Sequence, residues 1–372
     1  MHPTHCPSSV APSAATPAAQ GYVMPAEFAP HDACWMLWPQ RPDTWRLGAK
    51  PAQQAFVAVA SAIAESETVY VGVNDDQYEN ARHQLPAQVR VVELSSNDAW
   101  MRDVGPTFLV HPDKGLALVD WEFNAWGGLK DGLYFPWDKD RRIRPKIAEM
   151  LGIPCFDVEV VLEGGAIHVD GEGTLITTEE CLLNPNRNPG MDRATMERRL
   201  QDSLGIQKVI WLPRGCYLDE TDGHVDNLCC FVGPAEVALT WCDDDTDPEY
   251  AICREARAVL EASTDAKGRT ITVHPLPQPG PLTIAEDEAS GIDRLASSHP
   301  RRPGDRMAAS YVNFYIGNRV VVMPQLDPRH DATVMDILAR LFPDRRVVGV
   351  PAREILLGGG NIHCITQQQP RP

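Results

Sequence analysis

The stretch EGGAIH at residues 163–168 recurs as GGGNIH at residues 358–363, near the other end of the chain. In both copies a glycine-rich turn leads into a short run typical of a strand. Glycine permits close approaches that a side chain would block, so such turns are places where a ligand can meet the backbone. The echo indicates a repeated structural module. Two unrelated tight strand connections are the alternative interpretation.

Around these two copies, short β-rich runs alternate with amphipathic segments. The pattern predicts strands at 67–73, 89–94, 174–178, 208–212, 236–241, 270–274 and 319–324. It predicts helices at 51–65, 191–204, 248–262 and 330–342. This alternation is typical of an α/β protein. No stretch within 21–369 has the composition of a long linker.

The composition excludes several classes of function. The 372 residues carry 34 Lys+Arg against 51 Asp+Glu, a net charge of −17, which argues against nucleic acid and membrane partners and suits a cationic small molecule. The longest apolar run, 56–64, is about half a membrane span. Residues 1–20, rich in Ala, Pro and Ser, predict a disordered tail. We expect a cytoplasmic protein, with organellar import as the alternative. The ten scattered cysteines form no CxxC pair, so reduced thiols are expected.

The segment ETDGHVDN (220–227) carries one candidate constellation. If it is extended, Asp222, His224 and Asp226 project from one face, where a base beside carboxylates suits proton transfer and cation binding. A polar turn that collects such residues by chance is the alternative. A metal site would need His168 or His363 as a further ligand. The spacing matches no HExxH-type signature, so no metal is expected.

Three further residues are candidates for chemistry. In NDAWMRDVGPTF (97–108), Asp103 either pairs with the adjacent Arg102 or accepts two N–H bonds from a planar cation. Glu163 is an acid at a glycine turn. Cys364 follows a glycine run whose backbone N–H groups can stabilise negative charge that develops during a reaction. This position favours Cys364 as a nucleophile. The alternative is that Cys364 is a small buried apolar residue, as free cysteines commonly are.

Six separated motifs, taken together, resemble those of the agmatine deiminases in their plant-type form. The resemblance covers nearly everything from 21 to 370, and the motifs occur in the family's order. They are GYVMPAEFAPHDACWMLWPQRPDTWR (21–46), NDAWMRDVGPTF (97–108), EFNAWGG (122–128), EGGAIHVDGEGTLITTEECLLNPNRNP (163–189), ETDGHVDN (220–227) and GGGNIHCITQQQP (358–370).

This resemblance implies a fold of the pentein superfamily. The expected architecture is an α/β propeller of five ββαβ modules with five-fold pseudosymmetry and an active site in the central channel. The glycine echo would then mark equivalent turns of two modules. The chain would comprise a tail, 1–20, and one catalytic domain, 21–370.

The resemblance also implies a reaction and the residues that perform it. Cys364 would attack the guanidinium carbon of agmatine, and His224 would act as general acid and then as general base. Asp103 and Asp226 would bind the guanidinium nitrogens, and Glu163 would hold His224. The product, after a covalent amidino-thioether, would be N-carbamoylputrescine, on the route to putrescine and polyamines. No cofactor or metal is implied, and a homodimer is expected.

Other residues would line the substrate's path. Trp100, Trp121 and Trp126 are expected along the aliphatic stem, although buried aromatics are commonly plain core. Gly359 and Gly360 would approach the substrate through their backbone.

Two matters stay open at the level of sequence. The alternatives to agmatine are a peptidylarginine deiminase, a free-arginine deiminase with cationic side chains for the α-carboxylate, and a non-catalytic pentein that only binds cations. The thiol of Cys364 either forms an ion pair with His224 or loses its proton only when substrate is bound.

Overall fold

A computed structural model describes residues 16–372. The strands are β1 His31–Leu37, β2 Thr68–Val73, β3 Arg90–Glu93, β4 Thr107–His111, β5 Gly115–Glu122, β6 Cys155–Val161, β7 Ile167–Val169, β8 Thr174–Thr178, β9 Lys208–Leu212, β10 Cys229–Gly233, β11 Glu236–Trp241, β12 Thr272–Pro277, β13 Tyr315–Ile316, β14 Val320–Gln325, β15 Arg346–Pro351 and β16 Gln367–Pro370. The α-helices are α1 Lys50–Ile63, α2 Tyr78–Gln84, α3 Met101–Val104, α4 Gly128–Asp131, α5 Ile143–Leu151, α6 Glu179–Leu182, α7 Arg193–Leu204, α8 Glu249–Ala262, α9 Glu286–Ser290, α10 Asp331–Leu341 and α11 Arg353–Leu357.

The strands form five small sheets that repeat one pattern. Four have the orders β4-β5-β6, β7-β8-β9, β10-β11-β12 and β13-β14-β15, and the fifth has the order β16-β1-β2-β3. In each sheet an antiparallel pair is followed by a parallel strand. A parallel neighbour needs a crossover, and the helices α5, α7, α8, α10 and α1 supply it. The predicted five ββαβ modules of a pentein-type α/β fold are confirmed.

The fifth sheet joins the two ends of the described chain. Strand β16 pairs antiparallel with β1, with Trp35 opposite Gln367, and the Trp35 indole donates to Gln369 at 2.9 Å. Because Cys364 lies only three residues before β16, this pairing fixes the position of the predicted nucleophile.

The predicted elements occur close to their expected positions, but several strands escaped prediction. Strand β1 is buried at every position but Asp32, and β10 is buried except at its last residue. A strand buried on both faces shows no alternation of apolar and polar residues, which is the pattern that reveals strands in sequence. Residues 1–15 of the predicted disordered tail lie outside the described residues. In the remaining part of that tail, Ala18–Gln20 form one 3₁₀ turn.

The apolar core supports the region around the repeated glycine turns. Helix α1 buries Phe56, Val59 and Ile63 on one face, as its amphipathic pattern requires. The same apolar cluster contains Trp45 and Trp100, whose ring centroids lie 5.0 Å apart. Within residues 16–372, no helix has both the length and the apolar composition needed to cross a bilayer.

Candidate active site

Loops from several modules enclose a cavity of about 450 Å³, a volume that includes solvent at its mouth. Six residues predicted for the site line it, namely Trp100, Asp103, Trp126, Gly359, Gly360 and Cys364. The other lining residues are Asp43, Thr44, Asp98, Leu133, Tyr134, Thr221, Ser298, His299, Arg301 and Gly358.

Asp103 lies in α3 and is almost completely buried. Its Oδ1 accepts the Gly165 N–H and its Oδ2 accepts the Trp126 indole N–H, each at 3.0 Å. Burial is the main influence on this group. Although the positive His224 counteracts it, burial together with Asp226 raises the pKa of Asp103 to about 6. Its neighbour Arg102 points elsewhere, toward Gln368 at 2.7 Å, so the alternative of an Arg102–Asp103 pair does not hold.

His224 is buried between two carboxylates. Its Nε2 lies 3.4 Å from Glu163 Oε2 and its Nδ1 lies 3.8 Å from Asp103 Oδ1. Burial disfavours the imidazolium, but Asp103 and Glu163 outweigh burial and raise the pKa of His224 well above its ordinary value. The side chain is therefore placed and charged to donate a proton.

Glu163 is in turn held by an arginine. The Nε of Arg187 lies 3.1 Å from both carboxylate oxygens, and both side chains are fully buried. Burial alone would raise the pKa of Glu163, yet Arg187 and His224 lower it to about 2. Arg187 also donates to the Thr221 carbonyl and, at 2.9 Å, to Asp222. It thereby ties the loop that carries His224 to Glu163.

The segment around His224 is not extended, so the condition under which Asp222, His224 and Asp226 would share one face is not met. Asp222 and Gly223 both have positive φ values, 58° and 87°, and Val225–Asn227 form a 3₁₀ turn. The glycine allows a reversal that a strand would not make. Asp222 therefore turns away toward Arg187, while His224 and Asp226 stay buried at the site.

Cys364 and Asp226 lie side by side. The thiol Sγ is 3.8 Å from Asp226 Oδ2 and 3.4 Å from Asn313 Oδ1. Burial, Asp226 and Asp103 together raise the pKa of the Cys364 thiol well above its ordinary value. Asp226 itself keeps a lowered pKa, because His363 outweighs the effect of burial.

Both copies of the glycine echo are close approaches, as the sequence predicted. A Cβ built on Gly165 would lie 2.5 Å from His224 Nδ1 and 3.0 Å from carboxylate oxygens of Asp103 and Asp226. A Cβ on Gly360 would lie 2.5 Å from the Trp100 ring and 3.1 Å from the Cβ of Cys364. A side chain at either position would displace the groups of the site.

Trp121 does not line the cavity, so its expected contact with substrate is not what the structure shows. It is buried in a separate apolar cluster with Leu109 and Val160, and its indole donates to Thr107 at 3.0 Å. The same cluster contains Ile167 of β7 and Leu175 of β8, which belong to a neighbouring sheet. Trp126, from the EFNAWGG motif, lines the cavity.

Within residues 16–372, two clusters have side chains of the kinds that bind metals, Glu163–Cys181–His224 and Glu27–His168–His363. Each already contains a protein cation beside its carboxylate. Arg187 contacts Glu163 at 3.1 Å, and Arg102 lies 3.8 Å from Glu27. An added metal ion would be repelled by these guanidinium groups. We therefore interpret both clusters as ion-pair networks.

Sequence reasoning missed three residues that shape the site. Arg187 lies in the quoted run 163–189, but nothing in the pattern marks its side chain as the partner of Glu163. Asn313 accepts the His363 N–H at 2.9 Å as well as the Cys364 thiol, and it lies in no quoted motif. Glu27 lies in the first motif without a chemical signal.

The geometry suits a planar cation. The His224 imidazole and the carboxylates of Asp103 and Asp226 surround Gly165, and the Cys364 thiol lies beside Asp226. Carboxylates match the N–H groups of a guanidinium in charge and shape. The imidazolium supplies a proton for a leaving group.

Comparison with known proteins agrees with this chemistry. The model of the family described as Porphyromonas-type peptidyl-arginine deiminase matches residues 23–370. The chain belongs to this family. Agmatine deiminase of Pseudomonas aeruginosa, strain LESB58, is 56% identical over 359 residues, which are 96% of this chain and 98% of that protein. The resemblance to agmatine deiminases predicted from the motifs is confirmed.

Solved structures of the family are similar in both sequence and fold. Agmatine deiminase of Enterococcus faecalis is 45% identical, with a TM-score of 0.93 over 96% of this chain and 98% of that chain. A putative arginine deiminase from Porphyromonas gingivalis is 32% identical, with a TM-score of 0.80 over 94% of this chain and 98% of that chain. The Enterococcus faecalis protein is thus more similar to this chain, in both sequence and fold, than the Porphyromonas gingivalis protein is.

Proposed function

We propose that this chain is an agmatine deiminase, which hydrolyses the guanidinium group of agmatine to N-carbamoylputrescine and ammonia. The observation that carries the proposal is that the Cys364 thiol and Asp103 line one cavity, with the buried Asp226 carboxylate 3.8 Å from the thiol sulfur. The relatives named agmatine deiminase at 56% identity support the choice of substrate.

The two carboxylates hold the substrate. Oδ1 of Asp226 is buried and has no hydrogen-bond partner within residues 16–372. A buried acceptor without a partner is costly, and a guanidinium N–H would satisfy it. Asp103 lies close enough for its charge to act on both Asp226 and Cys364. Two carboxylates around one planar cation orient its carbon toward the sulfur.

The protonation states favour loss of the thiol proton after substrate binding. In the free enzyme, burial and the two carboxylates keep Cys364 as a thiol. The already charged His224 cannot take that proton. A bound guanidinium cation offsets part of the negative charge of Asp103 and Asp226, which lowers the cost of forming a thiolate beside them. We therefore favour a substrate-assisted thiolate over a resident Cys364–His224 ion pair.

The reaction balances with Cys364 and His224 alone. The sulfur bonds to the guanidinium carbon, and the departing nitrogen receives one proton from the thiol and one from His224. It leaves as ammonium, with an amidino-thioether on Cys364 and a neutral His224. Water then attacks the same carbon and the carbon–sulfur bond breaks. One proton of that water returns to His224 and the other to the thiol, and the ureido product leaves.

The arginine at the cavity favours agmatine over arginine. Arg301 donates to both carboxylate oxygens of Glu220, at 2.7 and 2.9 Å, and to the Gly358 carbonyl at 2.5 Å. Since these acceptors occupy its guanidinium, Arg301 is poorly placed to bind an α-carboxylate. Agmatine has no such group.

A parallel assay tests the proposal. Ammonia and ureido product are measured from agmatine, free arginine and a peptide with an internal arginine, with Cys364→Ala as control. We expect turnover of agmatine alone, and none by the variant. Turnover of arginine or the peptide in its place would assign one of the alternative deiminases. A folded wild-type protein inactive on all three would indicate a cation-binding pentein without catalysis.

Four further proposals accompany this function. We propose that the enzyme acts in the cytoplasm, in the formation of putrescine and polyamines, and that it is a homodimer working without metal or cofactor. Light scattering after gel filtration measures the assembly state. Activity after exhaustive dialysis against a chelator measures any need for metal, and we expect no loss.

A further inference from the structure

The two histidines of the repeated motif meet at one buried carboxylate, that of Glu27. His363 Nε2 lies 2.8 Å from Glu27 Oε2, and His168 Nε2 lies 3.6 Å from the same oxygen. The two imidazole rings are inclined to each other by 29°, with centroids 6.0 Å apart. Glu27 belongs to the segment before β1, and the chemistry described above does not use it. Its presence at this point therefore needs an explanation.

The hydrogen bonds of His168 and His363 give the two imidazole rings different protonation states. Nδ1 of His168 accepts the Phe231 N–H at 3.2 Å, so that nitrogen carries no proton and the ring is neutral. His363 lies between two carboxylates, with Nδ1 at 2.7 Å from Asp226 Oδ2 and Nε2 at 2.8 Å from Glu27. An ionised carboxylate only accepts hydrogen bonds. Both nitrogens of His363 therefore carry protons, and the ring is an imidazolium.

The electrostatic surroundings agree with this assignment. Burial lowers the pKa of His168. Burial and Arg102 also oppose the charge on His363, but Glu27 and Asp226 outweigh them and raise its pKa. Glu27 keeps a pKa well below its ordinary value despite burial, because His363 and Arg102 stabilise its charge. The result is a buried carboxylate–imidazolium–carboxylate array that ends at the active site.

His363 also decides which oxygen of Asp226 remains available. Oδ2 accepts from His363 and faces the Cys364 sulfur at 3.8 Å, whereas Oδ1 has no partner within the described chain. The other charged groups that act on Asp226 are Asp103, which repels its charge, and His224 and Arg102, which attract it. Among the three cations His224, Arg102 and His363, only His363 is hydrogen-bonded to the Asp226 carboxylate in the described structure.

We propose that His363, hydrogen-bonded between Glu27 and Asp226, is a positioning residue that keeps Asp226 ionised and leaves its Oδ1 open for the substrate guanidinium. His168, at the equivalent place of the other copy of the motif, does not share this role. The identity of the substrate in this inference rests on the proposed function.

A matched pair of variants tests the inference by kinetics. His363→Asn keeps an uncharged donor near Asp226, and His168→Asn removes the other imidazole that faces Glu27. For His363→Asn we expect the KM for agmatine to rise about 10- to 100-fold, because the charged hydrogen-bond donor to Asp226 is removed, with a smaller change in kcat. His168→Asn keeps a near-wild-type KM.

The pH profile separates positioning from a merely structural role. Without the imidazolium, the pKa of Asp226 rises and Asp226 joins Asp103 in taking up a proton as the pH falls. The acid limb of kcat/KM therefore moves to higher pH and becomes steeper in His363→Asn, and it stays in place in His168→Asn. An unchanged limb in His363→Asn, or equal shifts in both variants, would overturn the inference.

Nitrogen NMR of histidine-labelled protein supplies a readout besides activity. We expect two wild-type histidines, His224 and His363, to keep both nitrogens protonated above the ordinary histidine range, and the signal that is absent in His363→Asn identifies His363. In Glu27→Gln this histidine should lose its proton at lower pH. A neutral His363 in the wild-type protein would refute the inference. If the wild-type protein does not turn over agmatine, the proposed function fails and this titration alone decides the inference.

Discussion

Replacing Trp126 by Phe tests how Asp103 is kept ionised. The carboxylate of Asp103 has two donors, the Gly165 N–H and the Trp126 indole, each at 3.0 Å. The substitution removes the second donor and keeps an aromatic ring against Phe123 and Tyr134. A hydrogen bond to a charged group contributes about 1.5–3 kcal/mol. At 1.36 kcal/mol for each pH unit, its loss raises the pKa of Asp103 by about one to two pH units.

The consequence appears in the acid limb of kcat/KM for agmatine. In the wild-type enzyme the pKa of Asp103 is raised to about 6, so kcat/KM falls as the pH drops through that value and Asp103 loses its charge. In Trp126→Phe the fall begins at higher pH. The variant is therefore roughly five- to fifty-fold slower at a pH of about 6, and the difference shrinks as the pH rises.

Trp121→Phe is the matched control, because its indole donates to Thr107 in a different apolar cluster. We expect its acid limb to coincide with that of the wild-type enzyme. The reasoning is refuted if Trp126→Phe lowers kcat/KM by the same factor at every pH, or if both tryptophan variants shift the limb equally.

Three further changes address other contacts of the site. In Gly165→Ala the new Cβ would lie 2.5 Å from His224 Nδ1, and we expect a loss in kcat of about 100-fold from the displaced imidazole, measured in steady-state assays on a folded variant. Arg187→Met leaves Glu163 buried without its arginine, and chemical denaturation should show a loss of about 3–5 kcal/mol in the free energy of unfolding. Alkylation of Cys364 in the free enzyme should be slow at neutral pH and accelerate throughout the alkaline range, because its thiol pKa is raised well above the ordinary value.

Each of these three predictions has an outcome that would contradict it. Arg193→Met removes a partly exposed partner of Glu179 and should cost less than about 1 kcal/mol; a similar loss in both arginine variants would contradict the role given to Arg187. A Gly165→Ala enzyme with full activity would mean that His224 tolerates displacement. An alkylation rate that is already at its plateau near neutral pH would indicate a resident thiolate, and with it the Cys364–His224 ion pair.

The sequence revealed the modules because their turns depend on residue type. A glycine is required where a Cβ would collide with His224 or with Trp100, so the echo at residues 163–168 and 358–363 follows from local geometry. Helices with one apolar face, such as α8, were equally visible. Strands β1 and β10 were not, since burial on both faces removes the alternation that marks a strand.

The sequence predicted which residues belong to the site, but not the contacts between them. The motifs predicted Cys364, His224 and Asp226 as site residues. No sequence spacing predicts that Arg187 binds Glu163, or that His363 contacts Glu27, which is 336 residues away in the sequence. Such contacts arise when modules distant in sequence are packed together. The same limit explains Trp121, whose aromatic character gave no information on which face of β5 it occupies.

The most direct test of the central claim is the mass of the enzyme quenched in acid during turnover of agmatine. The proposed chemistry predicts a transient increase equal to the mass of agmatine less one ammonia, located by peptide mapping on Cys364 and absent in Cys364→Ala. An adduct on another residue, or agmatine turnover by Cys364→Ala, would contradict the account.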